Sequence, residues 1–373
     1  MIKMKIAVLT TFDVYNYGAS LQAHALTHYL SCLGHEVELI DYQPEYLTRK
    51  YNYKWVNPES SLSRNAITRY IYRTLKYIQR QTTLKRKYAF DSFHQKYLKR
   101  TAIKYLDGNQ LSVSPPVADI YIVGSDQVWN VFYETGRDPA FYLDFVKSGR
   151  KISYAASFSY LDIDPDNLSR ISKSLSTFNG VSVRERQGLE ILKQMNINGY
   201  WVLDPVFLPG VDYWRSIIPD MAFKDKYLLI YDFESNHELR KFSIEYAKKN
   251  NLKIYSVNDT YPKLYANRNF SNVGPLEFIS LINNCEAFVS NSFHGTAFSL
   301  ILNRPVFVFN RNRHKVNSRM VSLMELFGLS NFIFDKASDY NPGINQFNFD
   351  SINQIIERET EKSKFFLSIC LEI

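Results

Sequence analysis

Apolar residues at the start of the chain fall in a short unbroken run. MKIAVLTTF (4–12) reads as a strand buried on both faces, as in a parallel sheet. After the turn DVYNYGAS, apolar side chains recur at Leu21, Ala25, Leu26, Tyr29, Leu30 and Leu33, a helical spacing that Gly34 ends. HEVELIDY (35–42) is a second strand. Strand, helix and strand in this order make a βαβ unit.

The rhythm breaks over residues 49–106, which lack strand alternation and predict one or two inserted helices. It resumes with strands in VADIYIVG (117–124), KISYAASFS (151–159) and VSV (181–183), and with helices in SRISKSLSTFN (169–179) and RQGLEILKQMN (186–196). A second α/β half follows from Lys226. Its strands are KYLLIYDF, LKIYSVND, EAFVSNS and RPVFVFN, and its helices ELRKFSIEYAKKN, PLEFISLINNC and FHGTAFSLILN; SRMVSLMELFGL and INQIIERETEKSKFFLSIC are also helix-like. The expected fold is α/β, with two Rossmann-like doubly wound domains facing a central cleft (GT-B-like) and a basic helical insertion in the first. The expected domains are 1–210 on the acceptor side, 211–340 on the donor side, and a C-terminal helical segment, 341–373, packing back on the first. Ligands of such sheets bind beyond the carboxyl ends of the strands, so residues just after strands are the candidates.

Composition fits this picture. With 373 residues, 45% hydrophobic and 22% charged, the chain suits two globular domains and excludes disorder. The net charge of +8 is uneven, since residues 49–104 hold 15 Lys and Arg against Glu59 and Asp91. That segment is either a solvated helical face or a dock for anionic membrane lipid; no nucleic-acid motif accompanies it, and nucleic acid is not expected as a partner. The 27 Tyr suit sugar-facing grooves or reflect coding bias. Cys32, Cys285 and Cys370 are odd in number and far apart, which fits reduced thiols. The N-terminus reads as a strand, and no stretch reaches the roughly 20 apolar residues of a membrane span. A cytoplasmic protein, peripheral at the inner face of the membrane, is the expectation.

Four post-strand segments carry candidate chemistry. After EAFVS, Asn291 and Ser292 open a helix whose first turn holds His294, Gly295 and Thr296. Its amides suit a phosphate or carboxylate, and His294 adds a donor or proton; an ordinary N-cap with a packed histidine is the competing reading. Arg184 follows VSV at the sheet's carboxyl edge, where its planar fork suits an anion, with Arg186 as fallback. In VGSDQVWN (123–130), Asp126 is a candidate base or a helix cap, and Trp129 a platform for a sugar ring. The turn NYGA places Asn16, Tyr17, Gly18 and Gln22 at the acceptor side. Without GxGxxG no dinucleotide is expected, and no His/Asp/Glu cluster has metal-ligand spacing; the expected cofactor set is none.

NYGASLQAHAL (16–26), VGSDQVWN (123–130) and SFHGTAFSLILNRPVFVF (292–309), with the weaker SVRERQGLEIL (182–192) and LDPVFLP (203–209), resemble the polysaccharide pyruvyltransferase family in order and spacing. The resemblance spans residues 4 to about 330. It implies transfer of the enolpyruvyl group of phosphoenolpyruvate to two hydroxyls of a sugar or lipid-linked oligosaccharide acceptor, giving a cyclic ketal and phosphate. It places His294 and Arg184 at the donor, with Lys315 or Arg319 on its phosphate; Asp126 is the provisional base. A nucleotide-sugar glycosyltransferase and a non-catalytic glycan-binding protein are the alternatives.

Overall fold

In the computed structural model, which describes residues 3–56, 60–160, 163–258, 262–311, 317–343 and 346–372, the strands form two parallel sheets. The first contains β1 (Lys5–Leu9), β2 (Glu36–Tyr42), β3 (Arg100–Tyr105), β4 (Ile120–Val123) and β5 (Arg150–Ser153), in the order β3-β2-β1-β4-β5. A short pair, β6 (Ser182–Val183) and β7 (Tyr200–Trp201), continues it through single bridges, Ile152 to Gly180 and Ala156 to Val183. The second contains β8 (Tyr227–Tyr231), β9 (Lys253–Val257), β10 (Arg268–Phe270), β11 (Ala287–Ser290), β12 (Val306–Phe309) and β13 (Ile333–Phe334), in the order β10-β9-β8-β11-β12-β13. Both are Rossmann-like orders. The direction of strand addition reverses beside β1/β4 and β8/β11, the switch points where such sheets bind ligands.

Parallel neighbours require crossovers, which helices supply. Those that bear on the site are α1 (Tyr17–Cys32), α2 (Ala66–Gln81), α3 (Leu84–Tyr97), α4 (Arg186–Gln194), α5 (Phe293–Ile301), α6 (Ser318–Leu326) and α7 (Phe349–Glu372). Residues 49–106 are not wholly helical as expected, because Arg100–Tyr105 is the edge strand β3. Only Thr101 and Tyr105 of it are buried, so an edge strand with most of its side chains in solvent shows no clean alternation.

Along β1, Ile6 and Val8 pack on one face of the sheet and Ala7 and Leu9 on the other, each in a separate apolar cluster. Phe366, Leu367, Cys370 and Leu371 of α7 complete the Ile6/Val8 cluster, while Ile352 near the start of α7 joins the core of the second sheet. Phe90 and Phe93 of α3 also enter that second core. Between them Arg86 is buried, donating to the Tyr17 hydroxyl and, at 3.1 Å, to the Tyr15 carbonyl. No helix among the described residues is long and apolar enough to cross a membrane. Cys32 is an exposed thiol, and Cys285 and Cys370 are buried ones.

Candidate active site

Five loops leaving strand ends converge. β4 delivers Ser125 and Asp126, β6 delivers Arg184 and Glu185, and β7 delivers Asp204. From the second sheet, β11 leads into α5 with Phe293 and His294, and the segment after β12 leads into α6 with Arg319. Asp204 is the hub. Its Oδ2 accepts from Arg184 Nη1 at 2.9 Å and Ser125 Oγ at 2.8 Å, and lies 3.3 Å from His294 Nε2. Its Oδ1 caps the turn after Pro205 by accepting from the Val206 amide. The His294 ring is wedged against α1, where a Cβ on Gly18 would lie 2.0 Å from Nδ1. With Nε2 beside a carboxylate, the tautomer assigned by its partners carries the proton there.

Arg184 is fully buried, yet its Nε and Nη2 have no hydrogen-bond partner among the described residues. Nη2 lies 3.7 Å from Asp126 Oδ1, an ion-pair contact without a hydrogen bond, and the guanidinium sits 4.3 Å from the Phe293 ring centroid. Buried donors are rarely left unpaired in a finished structure, so this guanidinium is set to receive an acceptor. Arg319 Nη1 approaches Asp126 at 3.9 Å. With the Gln127 amide turned to suit its neighbours, its oxygen accepts from Arg319 at 3.0 and 2.8 Å.

The charges interlock. Burial opposes ionisation of Asp204, but His294 and Arg184 outweigh it and hold the carboxyl far below the usual carboxylate range. Burial likewise opposes the charge on Asp126, and Arg184, His294 and Arg319 overcome it, so its carboxyl is also depressed. Burial opposes the Arg184 cation too, but Asp204, Asp126 and Glu185 reinforce it. Arg319 is pushed down to about 10, first by burial and then by Arg184. Glu185 Oε1 is held by Ser157 Oγ and the amides of Phe158 and Ser159.

His294, Arg184, Arg319 and Asp126 therefore meet in one place, and Gly18 packs against the His294 ring. Arg186 is exposed at the start of α4, and Lys315 lies outside the described residues. Several expectations are corrected. Trp129 is fully buried, donates from Nε1 to the Phe141 carbonyl and stacks on Tyr142, so it has no face for a sugar. Tyr17 is buried, stacked on Phe278 under Arg86. Gln22 is buried, its Nε2 donating to Thr10, Thr11 and Ala19, while its Oε1 has no partner among the described residues. Asn16 caps α1 through the Gly18 and Ala19 amides. In α5 the amides of Gly295 and Thr296, and the Thr296 hydroxyl, go to Ser292, so neither residue is offered to an anion. Gly295 is small because a Cβ would lie 2.7 Å from Phe288. Asp126, between two guanidiniums that depress its carboxyl, is a weaker proton acceptor than an isolated carboxylate.

Asp204, Ser125 and Phe293 were not foreseen as site residues. LDPVFLP did place an aspartate just after a strand, which is the signal that identifies Asp204. For a metal, Asp13, Asp91 and His94 offer ligand atoms within 4.8 Å of one another. Of these, Asp91 is bonded by Lys87 and Tyr15 and His94 Nε2 by Ser20 at 2.8 Å, while Asp13 Oδ1 lies 3.7 Å from His94 Nδ1.

Two cavities flank the centre. One of about 370 Å³, lined by Thr11, Asp126, Gln127 and Tyr133, opens on the side of the first sheet. It shares Tyr46 with a second of about 670 Å³ that reaches Trp55 and Asp107. On the side of the second sheet a small recess is lined by Asn291, Phe293, Arg311 and Arg319.

Paired Rossmann-like sheets with a buried cluster of paired charges between their strand ends define a two-lobed α/β protein of the GT-B architecture. The sequence matches the model of the polysaccharide pyruvyl transferase family over residues 16–313, and the chain belongs to that family of transferases. No curated protein matches the sequence. Among solved structures, a candidate UDP-N-acetylglucosamine 2-epimerase of Listeria monocytogenes is similar at TM-score 0.51 and 9% identity, with 95% of each chain covered. MnaA of S. aureus, solved with UDP, is similar at TM-score 0.50 and 11% identity, covering 95% of this chain and 87% of that one. The UDP-GlcNAc 2-epimerase of Methanocaldococcus jannaschii aligns at TM-score 0.48 and 13% identity, over 96% of this chain and 93% of its own. At these identities the likeness is one of fold.

Proposed function

We propose that the chain transfers the enolpyruvyl group of phosphoenolpyruvate to two hydroxyls of a sugar in a surface polysaccharide or lipid-linked glycan precursor. The observation that carries this is the buried Arg184 guanidinium with two unpaired N–H positions beside His294 and Arg319. A small dianion bearing both carboxylate and phosphate supplies acceptors for such donors. Its entry would replace part of the Asp126 contact to both arginines. In the reaction the methylene carbon takes a proton, one sugar hydroxyl adds to the central carbon, and a second hydroxyl closes the ketal as the C–O bond to phosphate breaks; of the two protons the hydroxyls give up, one balances that taken by the methylene carbon and the other leaves on phosphate. His294, oriented by Asp204, is the proton donor or phosphate partner. The hydroxyls approach from the cavity beside Asp126, where Tyr133 offers the exposed ring that Trp129 does not.

Phosphate release from phosphoenolpyruvate, dependent on a glycan acceptor, tests this. Arg184→Met and His294→Ala are each expected to lose about 10²-fold or more of turnover, as for removal of one preorganised donor. Nucleoside diphosphate release from a sugar nucleotide, without phosphate from phosphoenolpyruvate, would replace the proposal with glycosyl transfer.

A further inference from the structure

Helix α2 is amphipathic with its faces reversed. Its basic side turns toward the protein: Lys76 is buried and donates from Nζ to the carbonyls of Arg49, Asn52 and Trp55 at 2.9, 2.6 and 3.1 Å. Arg73 donates to the Lys54 carbonyl at 2.9 Å, and Arg80 lies over the Tyr51 ring. At about 100° per residue, Ile67, Ile71 and Ile78 share the opposite side, with Tyr70 and Leu75 beside them. All five are exposed, Ile67 by 75% and Ile78 by 57%. A helix on a water-facing surface shows the reverse arrangement.

What covers this face is indicated by charge. Residues 49–104 hold 15 Lys and Arg and two acids, and Arg64 and Lys85, just before and just after α2 in the chain, are exposed. A second copy meeting it across a two-fold axis would bring two strongly cationic segments together. One helix face is also small against the ~800 Å² per partner of a stable dimer. An apolar stripe with Tyr70 at its edge, on a helix that exposed Arg64 precedes and exposed Lys85 follows, suits a bilayer interface with anionic headgroups. We infer that α2 lies in the surface of an anionic membrane, its isoleucines among the acyl chains and its flanking cations at the phosphates. Trp55, which accepts from Lys76 through its carbonyl, also lines the larger cavity, so the protein-facing side of α2 stands next to that cavity. The inference does not depend on the chemistry proposed above, and its test reads binding alone.

The full chain is sedimented with vesicles of phosphatidylcholine, and of phosphatidylcholine and phosphatidylglycerol in equal parts. Wild type is expected to bind the mixed vesicles at least about tenfold more tightly, and the double variant Ile71→Glu/Ile78→Glu to lose at least about tenfold with an unchanged thermal melt. Leu264→Glu, at a residue 97% exposed elsewhere, should bind as wild type. Three outcomes would overturn the inference. Wild type could stay in solution with both vesicles, the double variant could bind undiminished, or lipid-free wild type could be a dimer that the double variant dissolves, making a second copy the occupant.

Discussion

Gly18 has no room for a side chain, because its Cβ position lies 2.0 Å from His294 Nδ1 and 2.3 Å from Cγ. Gly18→Ala must therefore move the imidazole away from Asp204. Turnover is expected to fall about 10²-fold, since an ångström of misplacement is that costly, while binding of phosphoenolpyruvate weakens less; a kcat/KM split checks it. Asp204→Asn removes the strongest counter-charge of the buried Arg184 and leaves it only Asp126 and Glu185, at up to about 3–5 kcal/mol of unfolding free energy in urea. The folded-state carboxyl is depressed by His294 and Arg184 despite burial, so its contribution is complete above the unfolded value of about 3.9 and is lost as pH falls below it. The gap between wild type and Asp204→Asn should be flat from pH 8 to about 5 and narrow only in stronger acid; a gap that closes near neutral pH would refute the assignment. Arg184 and His294 stood out as residues just after strands, but only the family resemblance set them in one site; the structure brings the two side chains to 3.5 Å. The hub role of Asp204 was not, since its partners come from positions 125, 184 and 294, a convergence no local pattern contains.

The long strands and helices were readable from period alone, because buried parallel strands are apolar throughout and the crossover helices repeat every turn. Edge elements were not. β10 has three residues and β13 two, too short to show alternation. The segment after β4 shows a second limit: a tryptophan in a loop invites a ligand-stacking reading, and only packing distinguishes it. Trp129 Nε1 holds the Phe141 carbonyl at 2.9 Å, and its ring fills the core beneath Asp126 and Gln127. Trp129→Phe should cost about 1–3 kcal/mol for the unpaired carbonyl, measured by urea unfolding, and leave the acceptor KM within about twofold. Tyr133→Ala should do the opposite, raising the acceptor KM with little change in stability.

At the scale of the molecule, α7 joins what the two sheets separate. Ile352 is packed in the second core, whereas Phe366, Leu367, Cys370 and Leu371 close one face of the first sheet. Midway along the helix, Ser363 Oγ accepts from the Leu203 amide at 2.9 Å, next to Asp204. Cys370 Sγ fills the space at Gly180, where a Cβ would stand 2.4 Å away. The helix thus ties the loop bearing the site's central carboxylate to both halves, and their unfolding should be coupled. Phe366→Ala removes a side chain that is 1% exposed, and such truncations cost about 3–5 kcal/mol. Because the lost contacts lie only on the first sheet, the cost falls on that half. Wild type is expected to melt in one calorimetric transition, and Phe366→Ala in two, the lower belonging to residues of the first sheet by hydrogen exchange. A single transition shifted as a whole would mean that the contacts of α1 and α3 with the second core suffice to couple the halves, and that α7 serves as a cover for the first sheet alone.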